Sequence, residues 1–235
     1  FKNIKQGDAV LDWDSRKPRL DDQGRTVTRW DGETKILHPV TGEEVPDPQA
    51  RVQVYDYLKP RPASWPEADF IVGNPPFIGL RNIRTAYADG YLEALRSAYP
   101  KVPEKADYVM YWWEKAALLA RAWNPGKKGG VQRFGLITTN SITQPFNRRV
   151  VASHLDDSRK PLSVVFAIPD HPWVDASDGA AVRIAMTVGR SGQHKGRQLD
   201  VTSEVETADE SEGREVSFAS TTGTILADLR TGANM

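Results

Sequence analysis

The chain has 235 residues, and its 31 lysines and arginines balance 31 aspartates and glutamates, so the formal net charge is zero. This balance gives no global attraction for a polyanion, and the absence of cysteine excludes disulfides and thiolate metal sites. The four histidines are too scattered for metal-ligand spacing, and no stretch predicts a signal peptide or a membrane span. We therefore predict a globular protein of the reducing cytoplasm, with neither a metal nor a membrane partner.

Residues 12–66 are polar and rich in proline and glycine, which predicts a long loop containing a β-hairpin. The two strands of the hairpin are expected at residues 26–30 and 34–37, with the Asp-Gly pair at 31–32 as the turn. A loop of this length inside a compact domain is usually functional or partly disordered.

Residues 69–77 read Asp-Phe-Ile-Val-Gly-Asn-Pro-Pro-Phe, which predicts a short buried strand that ends in a polar turn. Ile71 and Val72 are the expected buried residues, and Asn74 follows at the carboxyl end of the strand, where open α/β sheets bind ligands. An ordinary strand with a proline-rich turn is the alternative, because Asn and Pro are common turn residues. We favour a site because strand, glycine and polar turn come in this order.

The turn combines two hydrogen-bond acceptors with an aromatic ring, which suits an amino group on a flat base. Asn74 offers its side-chain carbonyl, and Pro75 offers a backbone carbonyl at a locked φ. Phe77 gives the base a stacking surface, a contact worth roughly 1–3 kcal/mol per base. The lone pair of such an amine is delocalised into the ring, so acceptors for both N–H bonds would free it. We therefore predict that Asn74, Pro75, Pro76 and Phe77 are catalytic in amino methylation.

The remaining chain alternates between helical and strand patterns. Helices are predicted at 91–99, 106–123 and 148–155, and strands at 134–140, 162–168 and 180–188. This order predicts an α/β fold, a doubly wound sheet whose last two strands form a hairpin-like edge. The acidic residues 204–215 are expected to form an exposed loop.

Arg148 and Arg149 are adjacent within the third predicted helix. They could contact the phosphates of a DNA backbone, or they could belong to a solvated helix face. The sequence does not separate these two interpretations.

The Asn-Pro-Pro-Phe motif at a strand end resembles that of S-adenosylmethionine-dependent amino methyltransferases that act on adenine in DNA. Five further segments narrow the resemblance: Arg-Trp-Asp-Gly at 29–32, His-Pro-Val-Thr-Gly-Glu at 38–43, Val-Pro-Asp at 45–47, Asp-Tyr-Val-Met-Tyr-Trp-Trp at 107–113 and Ile-Thr-Thr-Asn-Ser-Ile-Thr-Gln at 137–144. Over nearly all of residues 1–190, the chain is similar to the methyltransferase part of MmeI-like (type IIL) restriction-modification enzymes. The resemblance implies a class I (Rossmann-like) methyltransferase sheet, S-adenosylmethionine as cofactor and double-stranded DNA as partner.

The resemblance also implies roles for individual residues. Asp8, with Ala9 and Asn74, would bind the cofactor, and Asp8 would lie beside its adenine; a structural turn aspartate is the alternative. Phe77 would stack on an adenine flipped out of the duplex, because the amine is out of reach while the base is stacked and paired. Trp173 lies where such enzymes often supply an opposing aromatic, although simple packing explains it nearly as well.

The resemblance is incomplete at the N-terminal end of the sequence. The glycine-rich turn and the acidic residue that bind the methionine and ribose parts of the cofactor are not found before Asp8. We therefore expect the sheet to lack its first strands, so that 1–190 is a partial catalytic domain with an insertion at 12–66. Residues 191–235 would be a linker in which a target-recognition region could begin. A fused nuclease, if any, would also lie outside the chain, and the segment alone is expected to be inactive.

Three other functions stay open at this point. The chain could be a non-catalytic DNA-binding remnant, because the cofactor loop is not found. Methylation of the N4 amine of cytosine poses the same lone-pair problem, and protein-glutamine methyltransferases use a similar Asn-Pro-Pro turn.

Overall fold

The computed structural model describes residues 4, 6–173, 182–206 and 214–232. The chain divides into two compact units, one made of Phe1–Trp65 with Ile78–Glu104 and the other of Pro66–Phe77 with Lys105–Met235. Within the described ranges, no helix combines the length and the apolar character needed to cross a bilayer.

The first unit is a long β-ribbon with one helix. Its elements are β1 (Leu11–Asp12), β2 (Ser15–Pro18), β3 (Thr28–Trp30), β4 (Lys35–Leu37), β5 (Glu44–Pro46), β6 (Arg51–Gln53), β7 (Tyr55–Leu58), β8 (Arg61–Pro62) and α1 (Leu80–Ala98). The strands pair antiparallel in a nested order, β1 with β8, β2 with β7, β3 with β6 and β4 with β5. The segment predicted as a loop with one hairpin is therefore a two-stranded ribbon over most of its length.

The hairpin predicted at residues 26–37 is wrong, because β3 pairs with β6 rather than with β4. The side chain of Asp31 accepts hydrogen bonds from the backbone N–H groups of Glu33 and Thr34, each at 2.9 Å. This Asx turn bends one strand of the ribbon without reversing it. The reversal lies one step further along the chain, between β4 and β5.

Helix α1 packs against the ribbon and is longer than the helix predicted at 91–99. It is interrupted at Ala88, whose φ of 70° is unusual for a residue with a side chain. Two residues on, a Cβ placed on Gly90 would lie 1.9 Å from the carbonyl oxygen of Tyr55 in β7. Only glycine allows the helix and the ribbon to approach this closely. Arg19 of the ribbon adds an ion pair to Glu93 of the helix.

The second unit is a mixed sheet with two helices. Its elements are β9 (Phe70–Gly73), α2 (Val109–Ala122), β10 (Arg133–Thr139), a 3-10 turn (Asn140–Thr143), α3 (Pro145–Leu155), β11 (Leu162–Pro172), β12 (Arg183–Ser191), β13 (Gly196–Glu206), β14 (Arg214–Ile225) and β15 (Thr231–Gly232). The seven strands lie in the order β15-β14-β13-β11-β12-β10-β9. Pairs β9–β10 and β11–β13 are parallel, and the other neighbouring pairs are antiparallel. The predicted α/β class is confirmed.

The hairpin of β11 and β12 does not form the edge of the sheet, contrary to the prediction. Strand β12 lies between β10 and β11, and β13, β14 and β15 extend the sheet beyond β11. Residues 191–235, expected to be a linker, thus contribute strands to this sheet. The acidic run was expected to be a loop, but Glu204 pairs with Val216 and Val205 with Glu215 in the β13–β14 ladder; residues 207–213 lie outside the described ranges.

Strand β9 is an edge strand whose side chains on one face are uncovered. Val72 was expected to be buried, but its side chain is 87% exposed, and that of Phe70 is 59% exposed. The physical reason is that no described element covers the face on which these two side chains lie; β9 also has only one described neighbour in the sheet, β10. Ile71, which alternates with these two residues along the strand, is half-buried and lies beside the fully buried Phe134.

The core of the second unit forms where α2 covers the sheet. The helix predicted at 106–123 is confirmed as α2, and its Val109, Trp113, Ala116 and Ala120 form an apolar stripe that is at most 2% exposed. The ring of Trp113 packs edge-to-face on Phe134 with centroids 5.3 Å apart. Such aromatic pairs add about 0.5–1.5 kcal/mol beyond their buried area.

A glycine beneath this aromatic pair gives a test of the packing. A Cβ on Gly189 would lie 2.2 Å from the Phe134 ring, which is held by Trp113 and has no room to move. We expect Gly189→Ala to lower the free energy of unfolding by about 1–3 kcal/mol, the usual cost of overpacking. Gly135→Ala is the matched control, because its Cβ would meet its nearest neighbour at 3.7 Å. Urea unfolding of the chain measures both, and equal stability of the two variants would contradict this description of the core.

Candidate active site

The Asn-Pro-Pro-Phe turn begins directly after β9, as the sequence predicts. Phe70 pairs with Arg133, and Gly73 pairs with Leu136, in the parallel ladder with β10. Because β9 and β10 run in the same direction, their carboxyl ends meet at one edge of the sheet. The turn at 74–77 and the residues after β10 are therefore neighbours in space.

The acceptors of the turn have no hydrogen-bond partner among the described residues. Asn74 is exposed, while Pro75 is buried. Among the described residues, no donor hydrogen-bonds to the Asn74 side-chain carbonyl or to the Pro75 backbone carbonyl. Pro76 is exposed and keeps the backbone at this point stiff. The turn thus presents two acceptors that the protein itself does not use.

The structure brings together the two aromatic residues expected around a flipped base. The rings of Phe77 and Trp173 have centroids 6.4 Å apart and planes at 84°, an edge-to-face contact. Trp173 follows β11, and its backbone N–H donates to the carbonyl oxygen of Val182 at 2.9 Å. The two rings therefore touch instead of forming a parallel slot. A base could stack on the free face of Phe77, or it could displace Trp173.

A buried polar network holds the segment after β10 in place. This network was not predicted from the sequence. Asn147 of α3 is 4% exposed, and its side-chain oxygen accepts from the N–H of Asp107 at 2.8 Å. Its amide nitrogen donates to the Asp107 carboxylate at 2.7 Å and to the Ser141 carbonyl at 2.9 Å. The Ser141 hydroxyl donates to the same carboxylate at 2.6 Å. The network ties the 3-10 turn to the starts of α2 and α3.

The signal for this network was present in the sequence. Asp107 and Ser141 belong to two of the segments that carried the family resemblance, 107–113 and 137–144. The two segments do not indicate that Asn147 joins Asp107 to Ser141. Its partners lie 40 and 6 residues away along the chain.

Arg148 and Arg149 are both exposed on α3. The guanidinium of Arg149 lies 5.4 Å from the centre of the Phe146 ring, and the ammonium of Lys105 lies at the same distance. This cation–π cluster was not predicted. Arg148 instead lines a polar cleft of about 840 Å³ together with Asn140 at the end of β10. No described residue pairs with the Arg148 guanidinium, so it is available to a phosphate.

Asp8 belongs to the first unit, where it is half-buried in a turn. Its Oδ1 accepts from the N–H groups of Val10 and Leu11, both at 2.8 Å, so the turn-aspartate interpretation is correct for this oxygen. Its Oδ2 accepts from the hydroxyl of Tyr91 at 2.7 Å. Asp8 also lines a pocket of about 400 Å³, within the range of roughly 300–1,000 Å³ typical of ligand sites. Asp8 therefore stabilises the turn and lines the pocket at the same time.

The surroundings of Asp8 are aromatic. Trp13 lines the same pocket, and its ring lies 4.8 Å from that of Tyr57. Burial raises the pKa of Tyr57, and the negative charge of Asp8 adds to this rise while Arg16 opposes it. Ala9 is exposed, and its carbonyl oxygen accepts from the indole N–H of Trp65 at 2.6 Å. Among the described residues, no group of three or more His, Asp or Glu side chains could hold a metal.

Comparison with known proteins identifies the family. A family model described as the MmeI DNA-methyltransferase domain matches residues 1–200. Among solved structures, a type IIL restriction-modification enzyme, MmeI, in complex with DNA is 20% identical with a TM-score of 0.48, over 71% of this chain and 20% of that chain. A Vibrio vulnificus YJ016 protein, described as a modification subunit of a type I restriction enzyme, is 14% identical with a TM-score of 0.41, over 64% of this chain and 27% of that chain.

No curated protein sequence matches the chain significantly. The chain spans about a fifth of the MmeI chain to which it is similar. Because the family model covers residues 1–200 of 235, the chain belongs to the MmeI DNA-methyltransferase domain family.

Proposed function

We propose that this chain carries the catalytic turn of an enzyme that methylates the N6 amine of adenine in double-stranded DNA, with S-adenosylmethionine as methyl donor. The observation that carries the proposal is the pair of unused acceptors, the Asn74 side-chain carbonyl and the Pro75 backbone carbonyl, at the carboxyl end of β9. Membership of the MmeI DNA-methyltransferase domain family supports the reaction class.

Two acceptors at the end of β9 would make the amine nitrogen a better nucleophile. The lone pair of an aromatic amine is delocalised into the ring, so the nitrogen is a weak nucleophile. When Asn74 and Pro75 each accept one N–H, the nitrogen is held in a geometry that directs its lone pair out of that conjugation. S-adenosylmethionine supplies a methyl group on a sulfonium, an electrophile that needs no further activation. As the N–C bond forms, the C–S bond would break and S-adenosylhomocysteine would leave. The methylated nitrogen would then lose its extra proton to water, so no base has to act first.

The aromatic residues suit a base that has left the duplex. An enzyme cannot reach the amine while the base is paired and stacked, so the base must flip into the site. Phe77 follows the second acceptor by two residues and is half-buried, and its ring would offer the base a flat apolar surface. Trp173, now in edge-to-face contact with Phe77, would then lie against the flipped base.

The residues around Asp8 fit the adenine end of the cofactor. Asp8 has a carboxylate acceptor facing a pocket of about 400 Å³, and Trp13 gives that pocket an aromatic wall.

The uncovered face of β9 supports a further part of the proposal, that the chain works within a longer polypeptide. Exposed Phe70 and Val72 on a strand with one free edge invite pairing and covering by another segment. We propose that additional strands complete the sheet here and that the chain alone is inactive.

The first prediction concerns Asn74. In the full-length enzyme, Asn74→Ala should lower the rate of methyl transfer at least about 100-fold, because removing one preorganised polar group has effects of this size. Asn74→Asp should retain more activity than Asn74→Ala, because it keeps an acceptor oxygen. The measurement is incorporation of tritiated methyl groups into a duplex oligonucleotide, with thermal unfolding to verify the fold.

Asn82→Ala is the matched control for this experiment. Asn82 is exposed on α1, and no described residue bonds to its side chain, so its removal should leave the rate unchanged. Digestion of the product to nucleosides identifies the methylated base. Label in N4-methylcytosine would refute the adenine assignment, and absence of label in any duplex would favour a non-catalytic remnant or a protein substrate.

The second prediction concerns the ring of Phe77. Phe77→Ala should weaken stacking by about 1–3 kcal/mol, a factor of roughly 5–150 in the population of flipped base. Phe77→Tyr keeps the ring and should restore the parent behaviour. Fluorescence of 2-aminopurine at the target position, measured with the full-length enzyme, reports base flipping directly. If Phe77→Ala gave the same fluorescence rise as the parent, Phe77 would not be the stacking surface.

The third prediction separates the two interpretations of Arg148. If Arg148 contacts a phosphate, Arg148→Gln should weaken binding of all duplex sequences alike and reduce the slope of log K against log salt by about 1. Lys128→Gln removes the same charge from an exposed loop of the same unit and should leave the slope unchanged. An unchanged slope for Arg148→Gln would mean that Arg148 belongs to a solvated helix face.

A further inference from the structure

The carboxylate of Asp8 is held by three hydrogen bonds that leave one acceptor position open. Oδ1 receives the N–H groups of Val10 and Leu11, which fill both of its lone pairs. Among the described residues, Oδ2 receives only the hydroxyl of Tyr91. Because an ionised carboxylate offers about four acceptor positions, one lone pair of Oδ2 is left, and Asp8 lines the pocket.

One open acceptor beside a pocket with an aromatic wall has a specific ligand chemistry. It matches a single N–H of an exocyclic amine on a flat ring, as in a 6-aminopurine. It rejects a 6-oxopurine, whose carbonyl oxygen would face a carboxylate oxygen with no proton between them. The direction of the open lone pair is set by the orientation of the carboxylate plane, which the three hydrogen bonds hold. Two of these bonds come from the backbone of the same turn, and the bond from Tyr91 is the one that comes from another element.

Tyr91 itself is rigidly placed. Its side chain is 3% exposed, and its ring stacks on that of Tyr87 with centroids 4.8 Å apart and meets Tyr57 of β7 at 5.9 Å. The neighbouring Gly90 is where α1 approaches the carbonyl of Tyr55 so closely that no Cβ fits. The contact between helix and ribbon therefore determines where the phenol lies.

We propose that Tyr91 is a positioning residue that aims the Asp8 carboxylate at the amino group of a 6-aminopurine, the adenine of the methyl donor, so that the pocket selects amino over oxo purines. The inference rests on the proposed function, and it adds the residue that gives Asp8 its selectivity. It also gives the β-ribbon a role, because Tyr57 of β7 contacts the Tyr91 ring, and Trp13, which contacts Tyr57, lines the pocket together with Asp8.

The test uses binding by the full-length enzyme without DNA. S-adenosylhomocysteine and its inosine counterpart, S-inosylhomocysteine, are compared by isothermal titration, the weaker ligand by competition. The parent should prefer the amino ligand by at least about tenfold. Tyr91→Phe keeps the ring and its stacking, and it should weaken the amino ligand about tenfold while leaving the oxo ligand nearly unchanged, so that the preference disappears.

Two further variants sharpen the test. Tyr55→Phe removes a hydroxyl from the same unit that bonds to no described residue, and it should retain the parent preference. Asp8→Asn should also abolish the preference, and adding Tyr91→Phe to it should change little, because residues that act through one another are not additive.

The outcomes distinguish the inference from the function on which it rests. If Tyr91→Phe kept the parent preference, or weakened both ligands equally, Tyr91 would have only a structural role and the inference would be wrong while the proposed function stood. If the parent enzyme bound neither ligand, the proposed function would fall, and the inference with it.

Discussion

The parallel ladder between β9 and β10 is the interaction on which the candidate site depends. Strand β9 has only four residues, and no other described strand pairs with it. The position of the candidate turn is therefore set by β10, which in turn is fixed by the packing of Phe134 under Trp113. The strand that leads into this turn is an edge strand, and the side chains of its Phe70 and Val72 are exposed.

A second constraint stiffens the edge where the two strands end. The Asp107, Ser141 and Asn147 network joins the turn after β10 to the beginnings of two helices, and every polar atom that it buries finds a partner. Buried networks are rigid when they are fully satisfied. The segment beside the catalytic turn is thus held in place before any ligand arrives, which limits the reorganisation that a reaction at this edge would require.

Features that depend on neighbouring residues could be predicted from the sequence, whereas features that depend on contacts between distant residues could not. The turn at 74–77 and the stripe on α2 were predictable, because strand, glycine, proline and helical periodicity are local signals. The Asp-Gly hairpin was wrong because its local pattern fits an Asx bend equally well, and only the distant β6 decides the pairing. The exposure of Val72 and the bond from Tyr91 to Asp8 depend on which elements come together in space, 83 residues apart in the latter case.

Both candidate sites present hydrogen-bond acceptors to an amino group, but they differ in how many of those acceptors the protein already uses. At Asp8, three donors immobilise a carboxylate and leave one acceptor, an arrangement that recognises an amine and holds it. At Asn74 and Pro75 both acceptors are open, and the Asn74 side chain is exposed with no described partner to fix its rotamer. Pro75 alone is rigid there. An incoming amine would therefore meet one fixed acceptor and one adjustable acceptor, so the Asn74 carbonyl can turn to meet the second N–H only once the base is seated. Under the proposed function, the fold itself would hold the acceptor that recognises the methyl donor, whereas the substrate would complete the arrangement for transfer.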